Sequence, residues 1–157
     1  MTNYLLETFK AKFPDDVLDT HAFRGDETVV LKKEALLKAA AYLKNELGFD
    51  FLMDLTAADY LPREPRFELV CHFYSSRNNY RLRLKCPVAA EDASADSLTA
   101  LWAGANWFER EVYDMYGIKF TGHPDLRRIL MYDGFEGHPL RKDYPLKKRQ
   151  PRMPHRE

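Results

Sequence analysis

Between Tyr80 and Cys86 the chain alternates apolar Tyr80, Leu82, Leu84 and Cys86 with basic Arg81, Arg83 and Lys85. A period of two sends these sets to opposite sides of a pleated strand, so the sheet has one dry face and one wet face. The same period in Phe49, Phe51, Met53 and Leu55, and after the turn-prone Leu61-Pro62-Arg63-Glu64-Pro65 in Phe67, Leu69, Cys71 and Phe73, predicts two further strands. Ser75 to Asn79 reads as the polar loop between the last two. Upstream, Val17 to Arg24 and Thr28 to Leu31 flank Gly25-Asp26, a Gly-X pair that suits a II′ hairpin turn. Leu36, Ala40, Leu43 and Leu47 follow helical spacing from Lys32 to Leu47, and Gly48 supplies the stop.

A second helix is expected from about Ser97 to Tyr116, capped by Asp96 or Ser97 and ended by Gly117. Its apolar stripe of Leu98, Leu101, Trp102, Ala105, Val112 and Tyr116 also holds Glu109. An unpaired buried carboxylate is costly, so an arginine, a lysine or a set of backbone donors is expected beside it. Trp107 projects with Asp114 onto the outward face. Beyond this helix the periodicity stops: the last 41 residues hold five of the nine prolines and four of the seven glycines. Ten sizeable apolar residues, from Phe120 to Leu146, require that segment to lie on something. The expected division is therefore a globular domain over 1–118 and an extended arm over 119–157.

Lys plus Arg and Asp plus Glu are equal at 24 each, which argues against a general polyanion binder, although Arg141 to Arg156 carries seven cations against the single acid Asp143. No apolar run approaches the roughly 20 residues of a membrane span, and the N-terminus has no signal-peptide pattern, so a cytosolic location is expected. Two cysteines, Cys71 and Cys86, are too few for a structural zinc or iron–sulfur site and read as buried thiols. There is no glycine-rich nucleotide loop, Walker lysine, zinc-type His-x-x-x-His or nucleophile elbow. His123 and His138, each before a proline and near Asp125 and Asp133, lack ligand spacing and read as turn histidines bonded to backbone. Glu109, Glu111 and Asp114 point to different sides of one helix, which disfavours an acid–base pair.

Glu109-Arg110-Glu111-Val112-Tyr113-Asp114-Met115-Tyr116-Gly117 runs through Gly122-His123-Pro124-Asp125-Leu126-Arg127-Arg128-Ile129-Leu130. This stretch, with Phe135-Glu136-Gly137-His138-Pro139-Leu140-Arg141-Lys142-Asp143-Tyr144-Pro145-Leu146, resembles the C subunit (Nqo5-type) of respiratory complex I, the proton-pumping NADH:quinone oxidoreductase. The hairpin, helix and three-strand order agrees with that family's two-layer α+β module. The expected fold is thus a mixed, mostly antiparallel sheet of about five strands with two main helices and the C-terminal arm. The resemblance implies a non-redox component without catalytic, cofactor or metal residues of its own, with FMN and Fe-S clusters in partner subunits. It implies a peripheral position on the cytoplasmic side of the inner membrane, with the D subunit as chief partner and the B and I subunits as further ones. The short chain suggests a free-standing C subunit rather than one fused to its D neighbour. The interface is expected at Trp107, Glu109, Arg110, Glu111, Asp114, His123, Asp125, Arg127, Arg128, His138, Arg141, Lys142, Asp143 and Tyr144, with Arg127, Arg128, Arg141 and Lys142 pairing with acids of neighbours.

Two other readings compete. The same module occurs in membrane-bound hydrogenases and in quinone reductases driven by ferredoxin or a reduced deazaflavin. An RNA-binding sheet is suggested by Arg81, Arg83 and Lys85, but Tyr80 and Leu82 alternate away from them, whereas RNA-binding sheets stack bases on aromatics of the exposed face. No nucleic acid partner is therefore expected.

Overall fold

The structure, a computed structural model, describes residues 4–151. Arg152 and Arg156 of the basic tail, and the first three residues, lie outside it. In chain order the elements are α1 (Tyr4–Lys12), β1 (Val17–Phe23), β2 (Asp26–Leu31), a 3-10 turn (Lys33–Ala35) leading into α2 (Leu36–Asn45), β3 (Phe51–Asp59), β4 (Phe67–Ser75), β5 (Tyr80–Val88), β6 (Ser94–Asp96), α3 (Ala105–Tyr116) and β7 (Lys119–Thr121). The strands of the main sheet lie in the order β1-β2-β5-β4-β3. Only β2 and β5 run parallel, so the fold is the expected α+β with a mixed, mostly antiparallel five-stranded sheet. Helix α1 and a short parallel ladder of β6 with β7 are additional. That ladder lies partly within the segment expected to be arm, and Phe120 of β7 is buried in the core.

The alternation in β5 has the predicted consequence. Leu82, Leu84, Cys86 and Val88 join Phe67, Leu69, Cys71 and Phe73 in one core, which Phe9, Leu36, Leu43, Leu98, Trp102 and Val112 close from the helical side. Both cysteines are free and buried there. Burial pushes the Cys86 thiol up to about 12 and holds Cys71 well above its ordinary value, so neither offers a thiolate. On the wet face Lys85 pairs with Glu68 at 2.9 Å, and Arg83 donates to Thr28 Oγ1 at 3.3 Å.

Three local expectations are corrected. The first hairpin turns on Arg24-Gly25, both at positive φ (53° and 90°), with Phe23 facing Asp26 across the ladder; this is a I′ turn one residue earlier than the II′ turn read from Gly25-Asp26. In β3 the register slips between Leu52 and Asp54, and the extra residue reverses the phase: Leu52 and Leu55 are buried while Phe51 and Met53 face out. Third, α3 begins after Gly104 rather than at Ser97. Residues 97–104 form turns in which the Leu101 and Trp102 N–H groups both donate to Leu98 O at 2.9 Å. A continuous helix would hold Ser97 about 18 Å from Glu109 along its axis, yet Ser97 Oγ donates to Glu109 Oε2 at 2.7 Å. Among the described residues no helix is long and apolar enough to cross a membrane.

Candidate functional site: α3 and the C-terminal arm

Glu109 has no solvent exposure, as its place in the apolar stripe requires. Its two oxygens accept Ser97 Oγ–H at 2.7 Å and Leu98 N–H at 2.6 Å, and Ser97 Oγ is also within 2.7 Å of Thr99 Oγ1. The expected neutralising group is thus a hydroxyl and a backbone donor, with no cation among the described residues. Burial therefore dominates and pushes the Glu109 carboxyl up to about 7, against the pull of its two hydrogen bonds. This carboxylate closes the turn segment onto α3.

Asp114, which helical projection places outward beside Trp107, is completely buried because the arm crosses it. Its Oδ2 accepts the consecutive N–H groups of Ile129, Leu130 and Met131 at 3.1, 2.8 and 2.8 Å, and its Oδ1 accepts Arg128 at 2.7 Å. Burial is the largest single influence on this carboxyl and raises it, but the Met131 N–H, the Arg128 guanidinium and the Leu130 and Ile129 N–H groups together outweigh it. The net position is below the ordinary carboxylate range. One turn earlier, Arg110 donates to the carbonyls of Arg127 and Arg128 at 3.1 Å each. Arg110 and Asp114 stand at i and i+4, so one side of α3 offers a donor and then an acceptor to successive arm residues.

The arm runs along α3 in the same direction. His123 Nε2–H donates to Asn106 O at 3.3 Å near the start of the helix, and its Nδ1 accepts the Asp125 N–H at 3.0 Å. Near the end of the helix His138 Nδ1–H donates to Asp114 O at 2.9 Å, Leu140 N–H to Met115 O at 3.1 Å and Arg141 Nε–H to Tyr116 O at 2.5 Å. These are carbonyls at a helix C-terminus, where donors and cations are favoured. Burial and the charges of Arg141 and Arg128 hold His138 below its ordinary value, against its bond to Asp114. Gly117 caps α3 at φ +78°, and a Cβ there would stand 2.6 Å from His138 Nε2 and 2.8 Å from the Arg141 guanidinium. Glycine is thus required twice over: for the left-handed angle, and for the closeness of the arm.

A second anchor joins arm and sheet. Arg66 bridges Asp59 and Asp143, its guanidinium donating to both carboxylates at 2.7 to 3.0 Å, and Asp59 also accepts the Lys142 N–H at 2.8 Å. The Arg66 hydrogen bonds hold Asp59 far below the ordinary range, against burial. Sequence reasoning does not single out Asp59 and Arg66; the available signal is an acid and a base bracketing the proline-rich turn between β3 and β4.

The remaining expected residues divide between the inner and outer sides of the arm. Arg127 pairs with Asp125 at 2.9 Å on the surface, and Arg128 reaches Asp114 and Gly137 O. The acid expected from a neighbour is thus supplied within the chain for both. Lys142 Nζ reaches Leu61 O at 3.5 Å. Tyr144 stacks on Phe135 with an interplanar angle of 15° and accepts a hydrogen bond from Gln150 Nε2. Glu111 is exposed. Trp107 is 61% exposed, with Arg110 over its ring. Leu130 and Leu140 are each more than half exposed, and Leu146 is 97% exposed. Lys142, Lys147 and Arg149 form no ion pair among the described residues. The arm therefore has an inner side spent on its own chain and an outer side of leucines and cations.

Comparison with known proteins gives the chain's family. The NADH-quinone oxidoreductase C subunit of Citrifermentans bemidjiense is 49% identical over 144 residues, spanning 92% of this chain and 89% of that protein. The protein of the same name from a Roseiflexus species is 51% identical over 144 residues, 90% of this chain and 83% of the other. The solved structure of Nqo5, as its trypsin-resistant fragment 1–134, superposes with a TM-score of 0.70 at 36% identity, covering 78% of this chain and 96% of the fragment. A polypeptide of an archaeal membrane-bound sulfane sulfur reductase superposes at 0.74 with 21% identity, over 91% of this chain and 85% of that one, which shows a shared fold. The family described as the respiratory-chain NADH dehydrogenase 30 Kd subunit matches residues 29–150, and the chain belongs to that family.

Proposed function

We propose that this chain is a non-redox component of the cytoplasmic arm of proton-translocating NADH:quinone oxidoreductase, with no catalytic residue of its own. Electrons pass from NADH through FMN and Fe-S clusters held by partner subunits to quinone, and this chain holds partners in register. The chief partner is the D subunit, with the B and I subunits as further neighbours, and the chain reaches the membrane only through the complex. The observation that carries this reading is the two-sided arm, described over 122–151. Its inner side is taken up by α3 and the Asp59–Arg66 anchor, while Leu130, Leu140, Leu146 and cations without an ion pair among the described residues face out as an interface requires.

The test is purification of the tagged chain from its native membranes in mild detergent. Expected is co-purification of the D, B and I subunits with the FMN- and Fe-S-bearing subunits and with NADH:quinone activity. Co-purification with hydrogenase components instead would overturn the reading, and so would stoichiometric flavin or iron retained by the isolated chain after chelation and gel filtration.

A further inference from the structure

We infer that Glu109, Ser97 and Thr99 form a proton-operated clasp: the acid form of Glu109 holds the turns over 97–104 on α3, and loss of its proton to water through the two hydroxyls loosens them.

Glu109 has no solvent exposure, yet a chain of two hydrogen bonds leads from it towards the surface. Its Oε2 lies 2.7 Å from Ser97 Oγ, which lies 2.7 Å from Thr99 Oγ1, and Thr99 is half-buried. Either hydroxyl of the second contact can be the donor, so the bonds can run in both directions. With Glu109 neutral, its Oε2–H donates to Ser97 Oγ, and Ser97 Oγ–H donates to Thr99 Oγ1, which turns its own hydrogen to water. On deprotonation Thr99 gives its proton to a water and takes that of Ser97, while Ser97 takes that of Glu109. Both hydroxyls end neutral, with their directions reversed, and the carboxylate accepts from Ser97. Leu98 N–H stays on Oε1 at 2.6 Å and Thr99 N–H on Ser97 Oγ at 3.2 Å throughout. No donor or acceptor of the set is stranded in either form, and only the charge differs.

That charge meets no cation. From the sheet, Cys71 of β4 faces it, a thiol held up by burial to which the Glu109 charge adds. On α3 itself, Arg110 is turned to the carbonyls of Arg127 and Arg128, Glu111 is exposed and Asp114 is taken up by the arm. Lys44 of α2 donates to Leu101 O and lies 5.3 Å from the centroid of the Trp102 ring. An ionised Glu109 is thus a buried carboxylate that water would serve better, and its displacement up to about 7 has the same cause. The part of the fold able to yield is the stretch over 97–104, which has neither helix nor strand. It is joined to β7 by Ser97 N–H on Thr121 O at 2.9 Å and to β3 by the Trp102 indole N–H on Asp50 O at 3.2 Å. Opening it brings water to Glu109 and leaves the β4–β5 ladder intact.

The experiment uses the full chain, with Glu109→Gln as a form that stays neutral and Thr99→Val as one that keeps the acid and interrupts the path. Amide hydrogen exchange is followed by NMR at pH 5 and pH 8, each rate divided by the intrinsic rate at that pH. In the parent, protection of the Leu98, Leu101 and Trp102 amides should fall at least tenfold from pH 5 to pH 8 relative to amides of β4 and β5. In Glu109→Gln it should not change. The carbon-13 resonance of the Glu109 carboxyl should move through the titration as one averaged line in the parent. In Thr99→Val it should split into separate acid and carboxylate lines, because the proton then waits for the turns to open. Equal protection at the two pH values in the parent, or the same fall in Glu109→Gln, would overturn the clasp. So would a single averaged line in Thr99→Val, which would show the proton leaving without that hydroxyl.

Discussion

Arg128 and Asp114 meet at 2.7 Å, with Asp114 wholly buried, and the three peptide N–H groups that follow Arg128 close on the same carboxylate. A helix residue and a loop fourteen positions later thus form one unit. The arm is part of the folded chain, held by a charge that it covers.

Removing that carboxylate leaves three donors and a guanidinium facing no acceptor. Asp114→Ala should destabilise the chain by about 3–5 kcal/mol, and Asp114→Asn, which keeps one acceptor oxygen, by about 1–3 kcal/mol. Hydrogen exchange at the Ile129, Leu130 and Met131 amides should quicken first, while β4 and β5 stay protected. Because the folded carboxyl lies below its ordinary value, its stabilisation is present above the unfolded value near 4 and is lost as pH falls through the folded one. Equal exchange in parent and Asp114→Ala would show that the arm is held elsewhere.

Glu109 titrates in the opposite sense. Its folded value of about 7 exceeds the unfolded 4.5, so the native state holds the proton more tightly between the two. Stability from this group is full below about 4.5 and falls as pH rises to about 7, by about 2–3 kcal/mol in all. Glu109→Gln keeps an acceptor for Leu98 N–H and a group able to bond Ser97. In denaturant titrations it should match the parent at pH 5 and exceed it at pH 8. A parent whose stability does not fall over that range relative to Glu109→Gln would contradict this.

Arg66 stands between one buried acid and one half-exposed acid, so its two bonds are unequal. Arg66→Ala leaves Asp59 buried without its cation and should cost about 3–5 kcal/mol. Asp143→Asn removes a partner whose side chain is 50% exposed and should cost at most about 1 kcal/mol. Equal losses in thermal melts would show that burial of Asp59 is not what sets the cost.

Much of the fold is legible in the sequence because it rests on local period. The alternation in β4 and β5 and the stop at Gly117 are each set by residues within a turn or a strand length, whereas the helix expected over 32–47 with its stop at Gly48 opens as a 3-10 turn and ends earlier, at Asn45. Helical spacing extends α3 back to Ser97 wrongly, because Ser97 and Leu98 bind Glu109, a long-range pairing that local spacing cannot reveal. The phase of β3 is misread because one unpaired residue, Met53, reverses every side chain on one side of it. At the site, the family resemblance picks out Asp114, Arg128 and His138, but helical projection puts Asp114 outward, since projection cannot register a covering segment. Asp59 and Arg66 escape notice for the same reason: their partners, Lys142 and Asp143, lie more than seventy positions away.

Truncation after Gly122 tests the central claim, that the chain enters NADH:quinone oxidoreductase through its arm. The cut spares α3 and β7, and it exposes Asp114 to water rather than leaving it buried and unpaired. The truncated chain should keep its helix and strand signals yet fail to enter the complex. NADH:quinone activity of the membranes should then fall, while NADH oxidation by an artificial acceptor that takes electrons near the flavin persists. A truncated chain that assembles normally and supports full quinone reduction would contradict the claim and move the interface onto the globular part.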